Sequence, residues 1–261
     1  MDDPVFCTDA ELGYLRSATR FSPGESLRFD EPYRLAHLPL IAPRHGLAIS
    51  RRDGAPYRDG RHAEVFSLIA SIPETTLQAS AAFQSLQDDV RRASFAPKIA
   101  WDIGRRRQGK LHATICGSLS VGSPPNLTER NLAGIEPFWV ELHGLFSGNV
   151  NLGRLYLKAY PEKLRGHNAF QAIQSALARK LTDLYPVGLY NFIDEPTASE
   201  TLELAELLDR WRDTPLARLL VKDLQLLGSH DDLVLESRIV RTITLSDGTG
   251  PNPLGSEQGK G

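Results

Sequence analysis

The chain has 261 residues, enough for one large domain or two small ones around a real core. With 41% hydrophobic and 24% charged residues and a net charge of -2, it has an ordinary globular balance that excludes a general attraction to nucleic acid or membrane. Two cysteines far apart, Cys7 and Cys116, exclude a disulfide framework, and no run approaches the roughly 18 apolar residues of a membrane span.

The first 45 or so residues are rich in Pro, Arg and Asp and lack a clean period, so they read as an irregular arm laid over the domain that follows. Their acidic start, Met1-Asp2-Asp3-Pro4, lacks the basic character of a secretory signal, and the cytoplasm is the expected compartment. Gly46 to Ser50 is a candidate short strand, followed by Asp-Gly turns at Asp53-Gly54 and Asp59-Gly60. The spacing of Val65, Leu68 and Ile69 predicts a helix from about His62 that Pro73 interrupts. A second helix, from about Glu74 to Arg92, would bury Ala79, Phe83, Leu86 and Val90. Lys98 to Ile103 reads as a strand leading into the basic run Arg105-Arg106-Arg107.

The stretch from Lys110 to Tyr160 holds the clearest alternation. As a strand, Lys110-Leu111-His112-Ala113-Thr114-Ile115-Cys116-Gly117 places His112, Thr114 and Cys116 on one face and Leu111, Ala113 and Ile115 on the other. Phe138 to Phe146 and Arg154 to Ala159 read as a hairpin joined by Ser147 to Gly153, with Arg154, Tyr156 and Lys158 on a shared face. Asn168 is a candidate N-cap for a helix burying Phe170, Ile173, Leu177 and Leu181. Pro186 to Asp194 is an apolar, aromatic strand, and Thr197-Ala198-Ser199-Glu200 has the spacing of a capping box opening a helix with Leu204, Leu207, Leu208 and Trp211 on one face. Two last strands, about Ala217 to Leu227 and Leu233 to Leu245, are joined by the turn-rich Gly228 to Asp232. The tail from Ser246 to Gly261 has almost nothing to bury and is expected to be disordered. The second half repeats the first in outline, which predicts two facing lobes around one groove.

Residues 62 to 245 resemble the two-histidine (2H) phosphoesterase superfamily, the LigT-like RNA 2',3'-cyclic phosphodiesterases and their relatives. The resemblance rests on His112-Ala113-Thr114-Ile115, which matches the His-x-Thr-hydrophobic motif, and on the order of elements after it. It implies a bilobal α+β domain over residues 46–245, with two antiparallel sheets facing a central groove and helices on the outer faces. It further implies a phosphodiesterase acting on a cyclic phosphate or a 2'-linked nucleotide or RNA end, with no cofactor. His112 would be one of an acid-base pair and Thr114 would hold a phosphate oxygen, a sensible division because imidazole titrates near neutral pH.

A second His-x-Thr is missing from this chain. Where the strand order expects it stands Gly188-Leu189-Tyr190-Asn191-Phe192, and alternation turns Tyr190 into the groove. Three readings stand side by side: Tyr190 or Asn191 replaces the histidine, His143 or His230 enters from another element, or the site binds without turnover. Glu141 could orient His143, while His230 beside Asp231 and Asp232 reads as a turn cap and no metal site is expected. Arg154, Tyr156 and Lys158 could clamp phosphate or be a solvated strand face, and the Arg105 to Arg107 run with Lys110 could form a basic lip, although a charge run is more often a solvated loop. Cys116 reads as a small buried residue. A nucleotide or RNA end is the expected ligand, with a catalytically degenerate binding module as the alternative to an enzyme. A third reading sets the resemblance aside and leaves a mixed domain that engages a protein partner through its arm.

Overall fold

A computed structural model describes residues 3–107 and 109–246. Three short helices come first, α1 (Tyr14–Ser17), α2 (Glu31–Ala36) and α3 (Leu38–Ile41). They are followed by β1 (Arg61–Ser71), α4 (Glu74–Gln78), α5 (Ala81–Arg92), α6 (Ile103–Arg107) and β2 (His112–Val121). Next come β3 (Phe138–Ser147) and β4 (Arg154–Pro161), the two-residue strands β5 (Lys163–Leu164) and β6 (His167–Asn168), and α7 (Ala169–Ala176). The chain then runs through β7 (Pro186–Asn191), α8 (Ala198–Trp211), β8 (Pro215–Val221), β9 (Asp223–Asp231) and β10 (Ser237–Thr244).

The large strands form two four-stranded sheets, ordered β10-β9-β1-β2 and β7-β4-β3-β8, and every pairing in them is antiparallel. A cavity of about 440 Å³ lies between the sheets, lined from β1, β2 and β9 on one side and from β4 and β7 on the other. The expected α+β architecture of two antiparallel sheets around a groove is therefore present. One apolar cluster runs through both sheets, taking Leu68 and Ile115 from the first, Phe138, Leu157 and Val187 from the second, and Phe83, Leu86 and Val90 from α5. Among the described residues no helix is long and apolar enough to cross a membrane.

Local signals explain several elements. Asn168 accepts from the backbone N–H groups of Phe170 and Gln171 and starts α7, whose Phe170 and Ile173 are buried; Leu177 is only half-buried and Leu181 is exposed. Thr197 and Glu200 close the capping box of α8, which buries Leu204, Leu207 and Leu208.

Other expectations are corrected. His62 opens no helix: residues 61–71 form the central strand β1, where Phe66, Leu68, Ile69 and Ala70 are buried on both faces. A strand covered on both sides is a continuous apolar run, which periodicity does not separate from a buried helix. Gly46 to Ser50 forms turns, and of Lys98 to Ile103, Lys98 ends a 3-10 turn, Ile99 makes a lone antiparallel bridge to Phe192, and a turn leads into α6. The helix expected from 74 to 92 is two, with Ala79 exposed between them and Ser80 capping α5 by accepting from Phe83 N–H. The last two expected strands are three, and Gly228 to Asp231 belong to β9. The arm contains α1 to α3 and contributes Tyr14, Tyr33 and Leu38 to the core. Beyond Ser246, the tail expected to be disordered lies outside the described residues.

Candidate functional site

On β2 the alternation is realised: Leu111, Ala113 and Ile115 are buried, while His112 and Thr114 are half-buried and line the groove. His112 Nδ1 lies 2.7 Å from the Lys110 carbonyl oxygen. A carbonyl only accepts, so Nδ1 carries the hydrogen and Nε2 carries the free lone pair. Burial, then the charges of Arg154 and Arg107, push the His112 pKa down to about 4, so the ring is neutral at pH 7. Cys116 is buried and its thiol is pushed up to about 11 by that burial, so it offers no thiolate at neutral pH.

Two arginines stand on the opposite side. Arg154, on β4, donates from Nη1 to the Asp232 carbonyl at 3.2 Å and has its guanidinium carbon 5.3 Å from the Tyr156 ring centroid. Arg107, at the end of α6, donates from Nη1 to the Gly188 carbonyl at 2.5 Å and from Nη2 to Asn191 Oδ1 at 3.3 Å. Burial first, with Arg154 nearby, lowers Arg107 to about 9, leaving it charged at neutral pH. The Nε atoms of both arginines are buried without a hydrogen-bond partner, and among the described residues neither guanidinium pairs with a carboxylate. Arg107 is buried and Arg154 half-buried; a buried cation left without a counter-ion is costly, and an anion in the groove would relieve that cost.

Gly188 explains how Arg154 fits. A Cβ at this position would lie 1.9 Å from Arg154 Nη2 and 2.3 Å from its Cζ. The guanidinium thus fills the space that any side chain at position 188 would need.

Two further histidines line the groove, His37 between α2 and α3 and His62 on β1. His37 is fully buried and neither ring nitrogen has a hydrogen-bond partner, Nε2 being 3.9 Å from Asp232 Oδ2. Burial, then Arg154, pull its pKa down to about 3 against the opposing pull of Asp232. His62 is different: Nε2 is 3.2 Å from Asp232 Oδ1 and Nδ1 is 2.7 Å from the Ala63 carbonyl. An acceptor faces each ring nitrogen, and the bond to Asp232 raises its pKa above that of a free ring, so His62 has no nitrogen to spare. Burial would raise Asp232, but His62, His37 and the Tyr57 hydroxyl at 2.8 Å outweigh it and hold the carboxyl at about 2.

Of the residues singled out in the sequence, His112, Thr114, Arg107, Lys110, Arg154 and Tyr156 line this groove. Asn191 is fully buried and holds Arg107 from behind. Tyr190 does not face the groove but a neighbouring cavity beside Trp101. The cause is a β-bulge: Leu155 pairs with Tyr190 and Tyr156 with Gly188, so Leu189 is an extra residue that reverses the alternation. His143 lies away from the groove, 2.6 Å from Glu141 and stacked on Tyr160. Lys158 is buried under the arm, 3.4 Å from both Asp9 and Asp213. His230 does not cap its turn; Asp231 does, accepting from the N–H groups of Leu233, Leu235 and Glu236. Sequence reasoning missed His37, His62 and Asp232. Reading residues 61–71 as a strand would have brought His62 to the same sheet as His112.

No protein-family model matches the chain, and a comparison with curated proteins finds no match. Among solved structures the chain is similar to the crystal structure of TT0787 of Thermus thermophilus. The identity is 14%, 71% of this chain and 100% of that one are covered, and the TM-score is 0.38. That likeness is too loose to carry an inference.

Proposed function

We propose that the groove binds a phosphate ester and hydrolyses a phosphodiester, a cyclic phosphate or a 2'-linked nucleotide or RNA end. The observation that carries this reading is the pair of carboxylate-free guanidinium groups, Arg107 buried and Arg154 half-buried, facing a strand that presents a neutral imidazole and a hydroxyl. Arg154 and Arg107 neutralise the charge on the phosphoryl oxygens, and Thr114 donates a hydrogen bond to one of them. His112 Nε2 takes a proton from water, the water oxygen bonds to phosphorus, and the bond to the leaving oxygen breaks. The leaving oxygen takes its proton from solvent water, because His37, held at a pKa of about 3, carries no second proton at neutral pH.

Single-turnover assays with a nucleoside 2',3'-cyclic phosphate test this. His112→Ala is expected to slow product formation by at least about 100-fold. Equal turnover in that variant overturns the assignment. A second reading, a binding module of the same fold for a nucleotide or RNA end, has one observation in its favour. Among the described residues, each histidine lining the groove is either depressed well below neutrality or has both nitrogens engaged. It predicts that the cyclic nucleotide raises the melting temperature with no product over long incubation; slow product that depends on His112 excludes it.

A further inference from the structure

A second cavity of about 420 Å³ adjoins the groove, and Arg107 and Leu111 belong to the walls of both. Its character is unlike that of the groove. Trp101 and Tyr190 meet there at 65° with ring centroids 5.4 Å apart, and the Arg91 guanidinium lies 4.8 Å over the Trp101 ring. Trp101 is 36% exposed, a large apolar surface left open at the cavity. The Tyr190 hydroxyl, by contrast, is buried with no hydrogen bond of good geometry; burial pushes its pKa up, Gln87 lies close enough to pull it part of the way back, and Gln78 lines the same space.

We infer that this cavity is a subsite for a planar heteroaromatic ring, the nucleobase of a ligand whose phosphate sits in the groove; the inference rests on the phosphoester reading above. An aliphatic occupant would cover Trp101 and leave the Tyr190 hydroxyl unpaired, at the cost that any buried orphan group carries. A bare anion would suit Arg91 and leave the aromatic faces uncovered. A base does both: its face stacks on the indole or a guanidinium plane, and its edge offers donors and acceptors to a phenol and two amides. Arg107 and Leu111 line both spaces, so base and phosphate subsites share a wall. Tyr190 thereby acquires a role in recognition, through its ring and its unpaired hydroxyl.

Intrinsic tryptophan fluorescence tests the subsite on the full chain, in the wild type and in Trp101→Phe and Tyr190→Phe. The ligands are adenosine 2',3'-cyclic phosphate, adenosine, and inorganic phosphate. Expected results are quenching by both nucleosides but not by phosphate, its loss in Trp101→Phe, and weaker nucleoside binding, by about tenfold, in Tyr190→Phe. Quenching that persists unchanged in Trp101→Phe overturns the subsite, because Trp139 or Trp211 must then report it. Melting temperatures separate the two failures. Adenosine quenching without any phosphate-induced shift upholds the base subsite and overturns the phosphoester reading. A phosphate-induced shift with no nucleoside quenching does the reverse.

Discussion

A methyl group at position 188 would collide with the flexible end of Arg154, not with backbone. Gly188→Ala should therefore keep the fold, swing the guanidinium away and weaken anion binding about tenfold or more, the scale of a lost charged hydrogen bond. The phosphate-induced rise in melting temperature reads this directly, and an unchanged rise would show that Arg154 does not hold the anion. A second expectation belongs to His112. As the base it must be unprotonated, and its free-enzyme pKa of about 4 puts the acid limb of kcat/KM near pH 4, well below the 6.5 of an ordinary imidazole. A limb at 6.5 would mean that burial and the two arginines are not felt at the ring.

Gly144, in β3, lies under the end of α8, where a Cβ would be 2.0 Å from the Trp211 carbonyl oxygen and 2.8 Å from its carbonyl carbon. Backbone cannot swing aside, so Gly144→Ala should push α8 off the sheet and destabilise the protein by about 3 kcal/mol, read as a lower urea midpoint. No such close approach announces itself in the sequence, whereas the elements with local signals were legible. The β3–β4 hairpin shows in its turn residues, α7 in the Asn168 cap and α8 in Thr197 and Glu200. β1 was hidden because both of its faces are covered. The Tyr190 orientation was hidden because one extra residue, Leu189, inverts the parity of β7, and no residue type signals a bulge there. At the site, His112 and Thr114 could be read from one strand, but His37 and Asp232 reach it from loops distant in sequence, a matter of tertiary packing alone.

The whole molecule carries the sum of its titrations. His37 and His112 have folded values of about 3 and 4 against 6.5 in a free ring, so between pH 6.5 and 4 the unfolded chain binds more protons at both and stability falls with acid. His62 works the other way: its raised value contributes stability below pH 6.5 that is lost as pH rises through the folded value. Two groups outweigh one, and acid should destabilise the fold. His37→Phe removes one of the two, and the stability difference between pH 7 and pH 4.5 should shrink by an amount on the order of 3 kcal/mol. Urea midpoints at the two pH values measure it, and an unchanged difference would place the acid sensitivity elsewhere. A last consequence follows from the joint at Lys222, which alone separates β8 in one sheet from β9 in the other. One residue spans at most about 3.6 Å, so at that end the two walls are tethered almost without slack. The clearance between them is thereby tied to the covalent chain as well as to side-chain packing. If the groove holds the proposed phosphate ester, such a tether favours a guest that fits the existing clearance over one that needs the walls to part.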